Sequence, residues 1–252
     1  MATRKLHALV TNVTGFAGPP AVQAMLDAGF HVLAHDRAFA SEAAWQGFAA
    51  GWQNLTAIKA EAPEDVVAEA LEISGALQVV VSNDHYPAPA VDPESAPVDE
   101  LRNNYGALLE FPFRLVRAAL PALRDSRGNV VMVTSNRTRL PLSGGAFADA
   151  ARAGANALLR SLAIDFAPHG VVVNAVAPNF LYSEAYYPSA LFRETDHGRA
   201  YVAQSVPVGR LAEPSEIGEV IAFLATAKTR FMTGAIIDFS GGWPFAPARP
   251  TR

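Results

Sequence analysis

The stretch HALVTNVTGFAG at residues 7–18 determines the fold class that this sequence predicts. Its first five residues form a short apolar run that ends at a turn, which is typical of a buried strand. A glycine-containing turn follows, and Val22, Met25 and Leu26 then recur at the spacing of a helix. A strand, a glycine-containing turn and a helix in this order are typical of a doubly wound α/β sheet.

The alternation of strand and helix continues along the rest of the chain. Runs that are apolar on nearly every residue suit strands buried on both faces of a parallel sheet. Because no linker or repeat divides the 252 residues, we expect residues 1–252 to form a single Rossmann-like domain with a seven-stranded parallel sheet. The predicted strands are 7–11, 31–35, 55–58, 77–82, 129–134, 171–176 and 235–239.

The composition of the chain argues against several classes of binding partner. The net charge of −4 and the absence of a basic run argue against nucleic acid. The chain has no cysteine for disulfides or thiolate catalysis, and no cluster of His, Asp and Glu has the spacing of a metal site. It also lacks an apolar run for a signal peptide or a membrane span. The sequence therefore predicts a soluble cytoplasmic protein that binds no metal and no membrane.

The carboxyl ends of the predicted strands are where functional groups should gather. These ends hold residues 11–18, 82–89 and 178–188, together with Asp36 and Ser135. Ser135 follows the fifth strand, and Arg152 lies 17 residues later on a predicted helix. We therefore expect a site at this edge of the sheet.

The first turn resembles that of the short-chain dehydrogenase/reductase superfamily, whose pattern is T-G-x-x-x-G-x-G. Asn12 and Phe16 stand at two of its glycine positions, and of the three glycines only Gly18 matches. A phenylalanine at the second position would fill the space that a pyrophosphate needs, unless Phe16 is ordinary core packing. Asp36 matches the acidic residue that would bind the ribose of NAD. We give the steric argument more weight and predict that no NAD or NADP binds.

Other motifs of that superfamily are also altered. Its N-N-A-G segment corresponds to residues 82–85, SNDH, and its helical asparagine corresponds to Leu108. Its Y-x-x-x-K pair corresponds to Ala148 and Arg152, so that neither the tyrosine nor the lysine is present. Hydride transfer with a nicotinamide cofactor is therefore poorly supported by the sequence.

Apart from Ala148, these departures are similar to the pattern of the halohydrin dehalogenases, a branch of the superfamily that uses no cofactor. Phe16 and Gly18 fit the first-turn pattern T-x4-(F/Y)-x-G, and residues 178–181, PNFL, resemble the segment that binds halide. The resemblance implies a lyase that interconverts vicinal haloalcohols and epoxides with release or uptake of halide or another small anion. It also implies a halide and substrate pocket, although a loop packed by its own aromatic rings is the alternative. The candidate pocket residues are Phe16, Pro87, Pro178, Asn179, Phe180, Leu181, Tyr186 and Tyr187.

The proton-transfer residues of that family follow the pattern S-x12-Y-x3-R, in which the serine holds the substrate oxygen, the tyrosine takes the proton and the arginine favours the phenolate. Ser135 and Arg152 fit this spacing, but Ala148 occupies the tyrosine position. A methyl group cannot accept a proton. Ala148 is therefore a natural or introduced inactivating change, or another base acts, or the protein only binds a ligand. The candidate replacement bases are Tyr186, Tyr187, His85 and a water molecule.

Two further features concern the helix around Arg152. Asp149 lies three residues before Arg152, so that an ion pair within the helix is possible. The helix is rich in alanine, and close approach of a second copy is expected through it and through the preceding predicted helix, 108–123. The superfamily resemblance implies a homodimer or homotetramer; a plain alanine-rich helix of high propensity is the alternative.

Three classes of function remain open from the sequence. The first is the cofactor-independent lyase acting on haloalcohols and epoxides. The second is an NAD(P)-dependent oxidoreductase with a degenerate turn, and the third is a non-catalytic binding protein on the same scaffold.

Overall fold

Seven parallel strands form one sheet in the computed structural model, which describes residues 5–87 and 90–246. The strands are β1 (His7–Thr11), β2 (His31–His35), β3 (Leu55–Ile58), β4 (Val79–Asn83), β5 (Asn129–Val133), β6 (Val172–Pro178) and β7 (Ile236–Phe239). Their order across the sheet is β3-β2-β1-β4-β5-β6-β7. The predicted α/β class with a seven-stranded parallel sheet is therefore confirmed.

Helices connect the strands and cover both faces of the sheet. They are α1 (Gly18–Asp27), α2 (Glu42–Ala49), α3 (Pro63–Ser74), α4 (Val98–Tyr105), α5 (Phe111–Ser126), α6 (Ala146–Phe166), α7 (Ser189–Phe192), α8 (Asp196–Ser205) and α9 (Pro214–Thr226). Residues of α1 and α9 pack on one face, and residues of α3, α5 and α6 pack on the other. Burial from both sides explains why the strands are apolar on nearly every residue.

Two predicted elements are displaced along the chain. The fourth strand was expected at 77–82 and spans Val79–Asn83, because it pairs in register with β5 up to Asn83 and Val133. The helix expected at 108–123 spans Phe111–Ser126 and follows a wide helical turn, Gly106–Glu110. Backbone angles stay helical from α4 through this turn into α5, and Pro112, which has no N–H to donate to the carbonyl four residues earlier, accounts for the wide turn.

The sheet order reverses next to β1, which pairs with β2 on one side and with β4 on the other. Loops that leave the carboxyl ends of strands on either side of such a point diverge and leave a crevice. The first turn and the segment after Asn83 both lie there. Ala88 and Pro89, at the end of the predicted site segment 82–89, lie outside the described residues. None of the described helices is long and apolar enough to cross a membrane.

Candidate active site

A cavity of about 650 Å³ opens at the carboxyl edge of the sheet and contains Ser135, Ala148 and Arg152 in its wall. This volume lies within the range of sites for small molecules. Most of the residues expected to form a halide pocket line the same cavity: Phe16, Pro178, Asn179, Phe180, Leu181, Tyr186 and Tyr187. Pro87 was expected among them, but it is not part of this wall.

The first turn has a left-handed backbone at two positions where the superfamily pattern has glycine. Asn12 and Phe16 both have φ near 51°, a left-handed conformation that is costly for a bulky side chain. The Asn83 amide supports this geometry by donating to the carbonyl oxygens of Asn12 and Gly15 at 2.8 and 2.9 Å. Gly18 is required by close approach, because a Cβ there would lie 2.5 Å from the Asn12 carbonyl oxygen.

The space beside this turn is filled by aromatic rings. The Phe16 ring meets Tyr186 edge-on at a centroid distance of 5.0 Å and lies 6.1 Å from the imidazole of His85. The backbone N–H of Tyr86 donates to the Tyr186 hydroxyl oxygen at 3.1 Å, which fixes the ring in place. The turn therefore presents an apolar wall to the cavity.

Asp36 is held by the first turn itself. One of its carboxylate oxygens accepts hydrogen bonds from the Thr14 hydroxyl at 2.7 Å and the Thr14 backbone N–H at 3.0 Å. The other oxygen accepts from the Ala38 N–H at 3.0 Å. A ribose would have to compete with these bonds, so Asp36 has a structural role in this geometry.

The position of Ser135 is set by its neighbours in the fold. It is 8% exposed, and its hydroxyl accepts a hydrogen bond from the Arg137 backbone N–H at 3.2 Å and donates to the Pro178 carbonyl oxygen at 3.4 Å. The Asn156 amide, on α6, donates to the Ser135 carbonyl oxygen at 3.0 Å. These contacts join β5, β6 and α6 at one point of the cavity.

Arg152 is buried, with 5% of its surface exposed, and its Nη1 donates to the Val133 carbonyl oxygen at 3.3 Å. Its alternative role as a surface ion pair is therefore wrong. Asp84 is buried nearby, and its carboxyl accepts from the Ser82 hydroxyl at 2.8 Å. Burial raises the pKa of Asp84 to about 7, although the Ser82 hydrogen bond and the Arg152 charge both act to lower it.

The carboxylate of Asp149 pairs with Arg137 and not with Arg152, so the possible ion pair within the helix is not formed. Arg137 Nε donates a hydrogen bond to Asp149 Oδ1. Both side chains are largely buried, at 28% and 15% exposure. The two side chains point in different directions. Arg152 points into the cavity, while Asp149 contacts the short helical turn Arg137–Arg139 that follows Ser135.

The loop of residues 178–181, called the halide loop below because its sequence is the one expected to bind halide, is held by hydrogen bonds and by ring packing. Phe180 has φ of 55°, and its backbone N–H donates to Asn179 Oδ1 at 2.9 Å. The Tyr187 hydroxyl donates to the same oxygen at 2.8 Å. Phe180 packs on Tyr187 and Trp243 at centroid distances of 5.3 and 6.0 Å. Phe180 thus serves core packing and the cavity wall together.

The three side chains among the candidate replacement bases differ in their access to this cavity. Tyr186 lines it. Tyr187 also lines it, but burial raises the pKa of its phenol above the ordinary value, which opposes phenolate formation. His85 lies against Phe16 but faces a second cavity of about 800 Å³, and burial together with the Arg152 charge lowers its pKa. His85 is therefore poorly placed to take a proton at Ser135.

Several residues of the cavity wall were not foreseen from the sequence. They are Thr134, Arg137, Leu142, Leu191, Phe192, His197, Gly198 and Tyr201, whereas Tyr86 lies in the segment 82–89 that was expected at this edge. Of these residues, Thr134 could have been found from the sequence, because it directly precedes Ser135. Most of the others belong to α7, α8 and nearby loops, where no motif marks them. Leu108, the position of the superfamily asparagine, also lines the cavity.

The residues present do not fit a nicotinamide cofactor. Phe16 stands where phosphates would approach, Asp36 is engaged by the first turn, and Ala148 and Arg152 replace the tyrosine and lysine of the superfamily pattern. Among residues 5–87 and 90–246, no group of three or more His, Cys, Asp and Glu side chains is arranged to hold a metal ion.

The fold, with its candidate site at the carboxyl edge of the sheet, is that of the short-chain dehydrogenase/reductase superfamily, and the protein is a member of it. The sequence profile of the family described as enoyl-(acyl carrier protein) reductase matches residues 15–244, and the chain belongs to this family. L-fucose dehydrogenase of Mus musculus is 28% identical over 242 residues, which are 93% of this chain and 86% of that relative.

Two similar solved structures have names that concern dehalogenation. One is a halohydrin dehalogenase (HheC) bound to ethyl (2S)-oxiran-2-ylacetate, with 28% identity, a TM-score of 0.92 and coverage of 97% of this chain and 100% of its own. The other is a dehalogenation enzyme with 31% identity, a TM-score of 0.89 and coverage of 96% and 100%. An oxidoreductase of the short-chain dehydrogenase/reductase family from Burkholderia thailandensis is also similar, with 27% identity, a TM-score of 0.83 and coverage of 95% of this chain and 93% of its own. The comparisons thus agree on the superfamily, and the similar structures include both dehalogenation enzymes and an oxidoreductase.

Proposed function

We propose that this protein is a halohydrin dehalogenase-type lyase whose proton-accepting tyrosine is replaced by Ala148. The observation that carries the proposal is one cavity in which Ser135 and Arg152 share the wall with Phe16 and the halide loop. The two dehalogenation structures support it, because they match almost the whole chain.

The proposed reaction is an internal displacement. The hydroxyl of a vicinal haloalcohol loses its proton to a base, its oxygen forms a bond to the neighbouring carbon, and the carbon–halogen bond breaks with its electron pair on the halide. An epoxide and a halide ion leave, and the reverse reaction opens an epoxide with halide or another small anion. No electrons are transferred to a carrier, so the reaction needs no cofactor.

Each part of the cavity suits one part of this reaction. Ser135 would hold the substrate oxygen, and the buried Arg152 charge would favour the oxyanion. The halide would lie between Phe16 and the halide loop, where apolar rings and backbone groups surround a weakly hydrated ion. At Ala148 nothing can take the proton, so we expect the chain itself to bind ligands and to turn them over slowly.

The named sequence relatives favour a second candidate, an NAD(P)-dependent oxidoreductase. L-fucose dehydrogenase, 28% identical across 93% of this chain, is the example. The local geometry opposes it at Phe16, Asp36 and Ala148, whereas the overall fold suits both candidates. A non-catalytic binding protein is the third candidate, and it shares the ligand cavity of the first.

Calorimetric titration separates the oxidoreductase from the other two candidates, and halide release from a vicinal bromoalcohol by the chain with Ala148→Tyr tests the lyase against the non-catalytic binding protein. Bromide should bind with a saturable one-to-one isotherm, and millimolar NAD, NADH, NADP and NADPH should give none. A clear isotherm with any dinucleotide would contradict the dehalogenase proposal and favour the oxidoreductase. Light scattering in the same buffer should give the mass of a dimer or tetramer, which remains a prediction from the superfamily resemblance.

A further inference from the structure

The charge of the cavity wall is unusual for a neutral haloalcohol. Two arginines, Arg137 and Arg152, and one histidine, His197, line it, and no aspartate or glutamate among the described residues does. Arg152 has a role in the proposed reaction, but Arg137 has none. We propose that Arg137 is a specificity-determining residue that binds a carboxylate on the substrate. This inference rests on the proposed function.

The chain positions the Arg137 guanidinium by two contacts. Asp149, on α6, accepts a hydrogen bond from Nε. Gly145 leaves room for the head group, since a Cβ there would lie 2.5 Å from Nη2. Residues 144 and 145 are both glycine, and Gly144 has φ of 75°. A side chain larger than that of glycine at position 145 would therefore displace the guanidinium.

Arg137 lines the cavity, so its guanidinium can contact a ligand there. Nη1 and Nη2 donate to no other group in the described part of the chain, while Nε is occupied by Asp149. Two parallel N–H donors on a planar fork match the two oxygens of a carboxylate. Asp149 does not line the cavity, so it orients the fork from behind without occupying the ligand space.

Arg137 also lies close to the halide loop. Its charge acts to lower the pKa of Tyr187, although burial outweighs it, and the Tyr187 hydroxyl binds Asn179 of that loop. The Arg137 backbone N–H donates to Ser135 Oγ. A substrate that reaches from Ser135 to Arg137 would thus carry its carboxylate within a few bonds of the reacting carbons. The class that fits is a short halohydrin acid or epoxy acid.

A matched pair of ligands tests this assignment on the chain as it exists. The ligands are (2S)-oxiran-2-ylacetate and its ethyl ester, which differ in charge at the position that Arg137 would contact. We expect the acid to bind about 10-fold more tightly than the ester by calorimetry. Arg137→Gln should abolish this preference, and Arg137→Lys should retain part of it.

Asp149→Asn provides a change in the opposite direction. It removes the carboxylate that partly neutralises Arg137, so the preference for the acid should increase. Arg137 also connects its turn to α6, and a purely structural role would weaken acid and ester binding equally in Arg137→Gln. Circular dichroism establishes the folding of each variant, and Arg137→Lys and Asp149→Asn decide the question if Arg137→Gln does not fold.

The outcomes distinguish this inference from the proposed function. Saturable bromide binding with equal affinity for acid and ester would overturn the role of Arg137 and leave the lyase proposal intact. A 10-fold preference for the acid that persists in Arg137→Gln would also overturn it. Loss of bromide binding in all variants would count against the lyase proposal itself, whereas acid preference that follows Arg137 would still support the carboxylate site.

Discussion

Ala148→Tyr should convert this chain into an active dehalogenase. Ala148 lies in the wall of the Ser135 cavity, four residues before Arg152 on α6. Four residues correspond to a rise of about 6 Å and about one helical turn, so the introduced phenol and Arg152 would share one helix face. At about 6 Å and an effective dielectric constant of about 20, the two charges would attract by about 3 kcal/mol. This would lower the phenol pKa by about 2 units, to about 8.

The expected gain follows from the role of a general base. Such a group typically contributes about 10²–10⁴-fold, which is about 3–5 kcal/mol of barrier. Halide release at pH 8 from a neutral vicinal bromoalcohol and from a carboxylated one should rise by this factor over the chain with Ala148. Ala148→Phe is the matched control, because it adds the ring without the hydroxyl, and it should stay inactive.

The restored activity should also depend on its two neighbours. Ser135→Ala or Arg152→Ala, each combined with Ala148→Tyr, should return the rate to that of the parent chain, because the three groups act as a unit. The reasoning is refuted if the chain with Ala148 already turns over fast and the tyrosine makes no difference. It is also refuted if Ala148→Phe gains as much as Ala148→Tyr.

The remaining predictions concern buried polar groups. Asp84 should bind a proton that the unfolded chain releases near pH 4, so the free energy of unfolding should lose up to about 4 kcal/mol as the pH rises from 4 to 7. Asp84→Asn should remove this loss, which urea denaturation at both pH values would measure; an unchanged pH profile would contradict it. Asn83→Ala should cost about 3 kcal/mol, because two backbone carbonyls of the first turn lose their donor, and should weaken bromide binding. The Asn129 amide donates to the Ala225 carbonyl oxygen at 2.6 Å at the end of α9, so Asn129→Ala should destabilise the protein by a similar amount without changing bromide affinity. Equal effects of the two variants on bromide binding would contradict this expectation.

Much of the fold could be predicted because strand burial leaves a direct trace in sequence. The runs of β1, β2, β4, β5 and β6 are buried at nearly every residue, whereas the edge strands β3 and β7 are only partly buried. Apolar runs and turn positions located the strands within about two residues. The wide helical turn before α5 depended on Pro112, which lacks the N–H that would continue the regular helical hydrogen bonds. The missing N–H of a single proline therefore limited how well this helix could be predicted.

The candidate site was predicted only where residues belong to a motif with fixed spacing. Ser135, Ala148, Arg152 and the halide loop could be placed in one cavity because parallel strand ends converge. The pairing of Arg137 with Asp149 depends instead on the glycines at 144 and 145, and no spacing rule gives it. The wall from α7 and α8 likewise has no motif, because those helices fold over the site through aromatic packing.

The proposed function depends on a halide site beside Phe16, in the place where the superfamily binds its cofactor. The most direct test is anomalous diffraction from crystals of the unaltered chain soaked in bromide. We expect one strong bromide peak between Phe16 and the halide loop, within contact distance of Pro178 and Leu181. Bromide found only at scattered surface positions, with that pocket empty of anomalous density, would contradict it.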